Sequence, residues 1–129
     1  MDIKNLMVED WVCTEDDSTP RQVDWIRSGE VGLFWNKIVT PPNLKPILLT
    51  PEILKKNKFV NHHGEYYSTV EKQLAGDGFE LMTIIFIYRE SKNRIQILTS
   101  TSNIETVCKY VHELQHLLKF CEIEKTIEL

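Results

Sequence analysis

His112-Glu113-Leu114-Gln115-His116 matches a known reaction centre in both residue types and spacing. On a helix, two imidazoles four residues apart stand one above the other and can reach a single Zn²⁺. The carboxylate between them then takes a proton from metal-bound water. On this reading His112 and His116 are metal ligands, Glu113 is the general base of a zinc-dependent hydrolase, and zinc is the cofactor. The motif is short, and chance produces it about once in a hundred chains of this composition. A catalytic zinc also needs a third protein ligand. The longer HExxHxxGxxH form is broken, with Lys119 in place of its Gly and Glu122 in place of its third His. Upstream, His62-His63 is the tempting source of the missing ligand. Helical geometry places His112 and His116 with Glu105 and Lys109, turned away from the apolar stripe. The alternative, and the expectation here, is a solvated face with no catalytic residue and no cofactor.

Other chemistry-bearing residues read more plainly. Cys13, Cys108 and Cys121 are odd in number and form no CxxC pair, as in a reducing compartment. If Cys108 and Cys121 share one helix, they lie roughly 20 Å apart, beyond disulfide reach. Gln115 falls beside the apolar stripe, where a partly buried amide must find partners; the expected ones are backbone groups at a sheet edge. Trp11, Trp25 and Trp35 all lie in the first forty residues. They are expected in a core, and any left exposed marks a protein-binding face. Glu9, Asp10, Glu15, Asp16 and Asp17 surround the first strand and read as solvated surface, with imitation of a phosphate backbone as the alternative.

The elements that position these residues follow from pattern. With 15 Lys+Arg against 19 Asp+Glu and 42% hydrophobic residues, the chain is an ordinary globular one of net charge -4. That charge argues against strong non-specific binding to nucleic acid or anionic membrane, and no apolar run is long enough to span a bilayer. A cytoplasmic location is expected. Short strands are predicted over Trp11–Thr14, Arg21–Arg27, Val31–Trp35 and Lys37–Val39, with a polar turn from Glu15 to Pro20 and Val23 and Trp25 on one face. They suggest a curled antiparallel sheet or partial barrel. Leu44–Leu49 is an edge run broken by Pro46, and Thr50-Pro51-Glu52 opens a short helix that ends near Asn57. Val60–Gly64 is the expected joint between subdomains 1–60 and 61–129. Beyond it, strands are predicted over Glu65–Val70, Phe79–Tyr88 and Arg94–Leu98, with turns at Gly76-Asp77-Gly78 and Glu90–Asn93. A long helix is expected from a Ser102–Glu105 capping box, carrying Ile104, Val107, Val111, Leu114 and Leu118 onto the sheet. Around Ile123 it gives way to a tail that adds a short edge strand. The fold class is therefore α+β.

Three segments carry a resemblance: Asn5-Leu6-Met7-Val8-Glu9-Asp10-Trp11-Val12, Leu44-Lys45-Pro46-Ile47-Leu48-Leu49-Thr50-Pro51-Glu52-Ile53-Leu54 and Tyr110-Val111-His112-Glu113-Leu114-Gln115. In this order they resemble a family of small, uncharacterised phage and mobile-element proteins of gut bacteria, whose last helix reads VH[EQ]LQN. The resemblance implies a small SH3-like barrel at the front and no known activity. It also implies that His116 stands where the family has Asn, which makes the HExxH a local coincidence. The expected function is a non-catalytic accessory protein that binds a macromolecular partner, such as a host or defence component, with Trp11, Trp25 and Trp35 as its interface. The alternatives are the zinc hydrolase and nucleic-acid binding through the barrel. A protein partner is expected ahead of nucleic acid, and self-association as a homodimer stays open.

Overall fold

Antiparallel hairpins make up most of the computed structural model, which describes residues 5–35, 37–73, 81–123 and 125–129 and is α+β in class. The chain divides into two units. One holds the described residues up to Leu48 with Tyr110–Ile127 and Leu129; the other holds Leu49–Lys109 with Glu128. The boundaries thus fall at Leu48–Leu49 and Lys109–Tyr110, rather than at the joint expected near residue 60.

In the first unit, β1 (Trp11–Thr14), β2 (Asp17–Arg27), β3 (Glu30–Leu33), β4 (Lys37–Val39) and β5 (Leu44–Pro46) form a sheet in the order β4-β3-β2-β1-β5. The first part of β2 pairs with β1 and its second part with β3. One strand serving both halves curls the sheet into a half-barrel around Leu6, Val12, Val23, Val31, Leu33 and Leu44. Gly29, at φ 77°, supplies the left-handed residue that the β2–β3 turn needs. A 3-10 turn at Pro41–Asn43 leads into β5, whose closing Pro46 sits at the sheet edge as expected. The predicted polar turn shrinks to Glu15-Asp16. Asp17 already begins β2, and an irregularity between the Thr14↔Asp17 and Val12↔Arg21 pairs absorbs Pro20.

Helix α2 (Val111–Phe120) belongs to this unit, not to the second sheet where it was expected. It buries Val111, Leu114, Gln115 and Leu118, a stripe at helical spacing. It starts eight residues later than predicted because Ser102 and Glu105 have other partners. Thr99 N–H donates to Ser102 O at 2.9 Å and the two hydroxyls meet at 2.7 Å, so Ser102 closes a turn. Glu105 accepts from Arg94 at 3.2 Å across a strand pair. Ile104-Glu105-Thr106-Val107, rich in β-branched residues, then extends as a strand. The cap of α2 is local: Glu113 Oε1 accepts from Tyr110 N–H at 2.9 Å. Cys108 precedes this helix and Cys121 closes it, so they do not share it. No strand follows α2 among the described residues, but Ile123 and Ile127 are buried.

In the second unit, α1 (Pro51–Lys56) opens as the sequence predicts, with Thr50 Oγ1 accepting from Ile53 N–H at 3.3 Å. Just past its end, the Asn57 amide takes both main-chain groups of Glu128, each at 2.8 Å. A meander follows: β6 (Val60–His62), β7 (Glu65–Gln73), β8 (Leu81–Arg89), β9 (Arg94–Leu98) and β10 (Asn103–Val107), in the order β10-β9-β8-β7-β6. Val60–Gly64, expected as a joint, is β6 with its turn. Ile84, Phe86, Tyr88, Ile95 and Ile97 are buried in this sheet. The predicted Gly76-Asp77-Gly78 turn lies outside the described residues. Among the described residues, no helix is long and apolar enough to cross a membrane.

Candidate functional site

The imidazoles of α2 do not project into water. His116 Nε2 lies 2.6 Å from Asp10 Oδ2, with Asp10 fully buried and the His116 side chain 23% exposed. Asp10 is placed by a turn at Met7–Asp10: its N–H donates to Met7 O at 3.1 Å, and its Oδ2 accepts from Met7 N–H at 2.8 Å. His112 is half-buried, stacked on Tyr110 at 5.9 Å and edge-on to His116 at 5.5 Å between ring centroids. Burial pushes its imidazole below the ordinary value, and His116 adds to this while Asp10 and Glu113 oppose it. His112 Nδ1 and Asp10 Oδ1 are buried with no hydrogen-bond partner among the described residues.

The polar residues of α2 thus fasten it to the half-barrel. Gln115 spans the gap that β5 leaves when it ends at Pro46. Its Oε1 accepts from Trp11 N–H at 2.9 Å and its Nε2 donates to Glu9 O at 3.0 Å, so a side-chain amide continues the β1 ladder in place of a strand. Lys119 Nζ adds a bond to Val8 O at 3.1 Å. The structure brings His112 and His116 together as the motif requires, yet Glu113 caps the helix and His116 faces a carboxylate. Among the described residues, no three His, Cys, Asp or Glu are grouped so as to hold a metal ion. His62 and His63 lie on the β6–β7 hairpin, His62 edge-on to Tyr67 at 5.6 Å and His63 in the turn at φ 54°.

The second place of interest is a cleft of about 330 Å³ lined by Trp11, Pro20, Arg21, Gln22, Phe34 and Trp35. β1 supplies Trp11, whose Nε1 donates to Ile127 O at 2.8 Å and so fixes the ring. β2 supplies Pro20, Arg21 and Gln22, and the turn after β3 supplies Phe34 and Trp35. Arg21 crosses the floor, donating to Phe34 O at 3.2 Å and pairing with Asp17 at 3.4 Å. Trp35 is 84% exposed, Phe34 43% exposed, and the Trp35 backbone is left-handed at φ 75°. A bulky residue in that conformation is strained.

The expectation that the three tryptophans form the barrel core is therefore corrected: none is buried. Trp11 and Trp35 both line the cleft. Trp25 lies on the outer side, where a bulge between the Val23↔Leu33 and Trp25↔Gly32 pairs reverses the alternation expected from the sequence. There it covers Gly32, whose bare Cα leaves room for the ring, and Arg27 stacks on it at 4.9 Å. Sequence reasoning missed Pro20, Arg21, Gln22 and Phe34, which no local signal distinguishes from ordinary strand residues. Of the acidic cluster, Glu15, Asp16 and Asp17 pair with Lys45, Lys37 and Arg21, and Asp10 is buried rather than solvated. Bonds from the Thr19 backbone and side chain hold the Asp17 carboxyl down at about 2. Compared with family models, curated proteins and solved structures, the chain matches none.

Proposed function

We propose that the chain is a non-catalytic protein-binding module, and that its front half-barrel, SH3-like in strand order, receives an apolar side chain of a protein partner in the Trp11–Trp35 cleft. Trp35 carries the reading: a tryptophan held in a left-handed backbone and 84% exposed to solvent adds little to the packing of its own unit. Strain of this kind concentrates where a residue is kept for contact rather than for packing. Trp and Arg are the residues that dominate interface energetics, and this cleft presents both beside a fixed second ring. Nucleic acid is the poorer fit, because Arg21, the cation in the lining, is already engaged by Asp17 and acidic residues crowd β1. An origin in a phage or mobile element, as the sequence resemblance implies, suits a small accessory binder.

The test is selection from a displayed peptide library against the native chain and against Trp35→Gly. The native chain should enrich peptides that share an apolar anchor, and the variant, folded by circular dichroism, should not. Enrichment that ignores the substitution, or none with the native chain, would overturn the proposal.

A further inference from the structure

Among the described residues, β10 is an end strand of the second unit's sheet, paired only with β9. Its alternation is fixed at both ends. Thr99 N–H donates to Ser102 O and Cys108 N–H donates to Asn93 O, with the register unbroken between them. Even-numbered residues therefore bond toward β9, and Asn103, Glu105 and Val107 direct their main-chain groups outward. Asn103–Val107 contains no Pro, Lys or bulge to blunt this edge, and Glu105 is its one charge. Ile104 is 42% and Val107 56% exposed along it.

We infer that this edge is the contact for a second copy of the chain, β10 against β10, antiparallel about a two-fold axis through Glu105. Only outward residues can bond outward residues, and this centre alone uses all three: Asn103 faces the second copy's Val107, and Glu105 faces its own image. Every other two-fold register leaves at least one of them unpaired. The charge pattern accepts this register. Glu105 would meet a like charge, but Arg94 lies 3.2 Å and Arg89 3.8 Å from it, and Glu65 holds Arg89 at 2.9 Å. Each copy thus brings two guanidiniums and two carboxylates to the contact, a neutral cluster that selects its own image over a strongly charged segment. Ile104 and Val107 gain cover in the same step, as an isologous interface requires.

Sedimentation equilibrium over a range of concentrations tests it. The native chain should move from 15.1 kDa toward twice that mass as concentration rises. Val107→Pro removes an outward N–H, and Val107→Lys places a charge on the edge while keeping every bond to β9; both should remain at monomer mass. If the proline variant does not fold, the lysine variant decides. A native chain that is monomeric throughout, or a dimer that Val107→Lys leaves intact, overturns the inference.

Discussion

Replacing Gln115 by Leu tests how α2 is joined to the half-barrel. Leucine is close to glutamine in size and suits a helix equally well, so the change isolates the amide. Two bonds are lost, Trp11 N–H to Oε1 at 2.9 Å and Nε2 to Glu9 O at 3.0 Å. Glu9 O keeps a second donor, Gln22 Nε2 at 3.0 Å, whereas Trp11 N–H is left without its acceptor. Each lost bond costs about 0.5–1.5 kcal/mol and an orphaned buried donor about 1–3 kcal/mol. Leucine recovers part of this by burial, which leaves an expected loss of about 2–4 kcal/mol. Urea unfolding followed by circular dichroism, read as a shift in midpoint at constant slope, measures it. Gln115→Glu supplies an internal control. Its carboxylate would face Glu9 O, which raises its folded pKa, so this variant should regain stability as pH falls and lose it as pH rises through that pKa. A leucine variant within about 0.5 kcal/mol of the native chain would refute the account, because the amide would then be interchangeable with a methyl fork.

Three further outcomes follow. Trp35→Gly should leave stability within about 1 kcal/mol of native while peptide capture is lost, because relief of a left-handed backbone, worth about 1–2 kcal/mol, offsets the little area the ring buries. His112, held below its ordinary value by burial, takes up a proton more readily when unfolded. Stability should therefore be intact above about pH 6.5 and decline as pH falls through the folded value, and His112→Gln should flatten that acid limb in melting curves. Gly32→Ala would set a methyl 2.1 Å from the Trp25 ring, so the ring must leave and Arg27 loses its stacking partner. A loss of about 1–3 kcal/mol with a changed near-ultraviolet dichroism spectrum is expected, and an unchanged spectrum would contradict the packing.

The fold was legible where turn chemistry stands alone. Ser28-Gly29, Thr50-Pro51-Glu52 and Glu90–Asn93 each impose a backbone on the chain, and each begins or ends its element as the sequence indicates. Gln115 was legible too, because a buried amide has few outlets and a sheet edge is one of them. The stretch from Ser102 to Tyr110 was not. Ile104, Val107 and Val111 satisfy a helical period, and Ser102 with Glu105 spells a capping box, but both polar groups find nearer partners across the hairpin. Trp25 was misplaced by a single bulge, which reverses facing direction and leaves no mark in residue type. Asp10 looks like its acidic neighbours in the sequence; only the distant His116 distinguishes it.

Gln115 reaches Trp11 across a separation of 104 residues, which bears on how the protein is made. The four hairpin-linked strands at the front emerge early from the ribosome and need only short loops to close. At about 5–20 residues per second, Gln115, which completes β1, follows the end of β4 at Val39 roughly 4–15 s later. Throughout that interval the nascent half-barrel carries an open flank at Glu9 and Trp11. An unpaired strand flank of this kind is a template for pairing with another chain, and a stall between β5 and α2 prolongs its exposure.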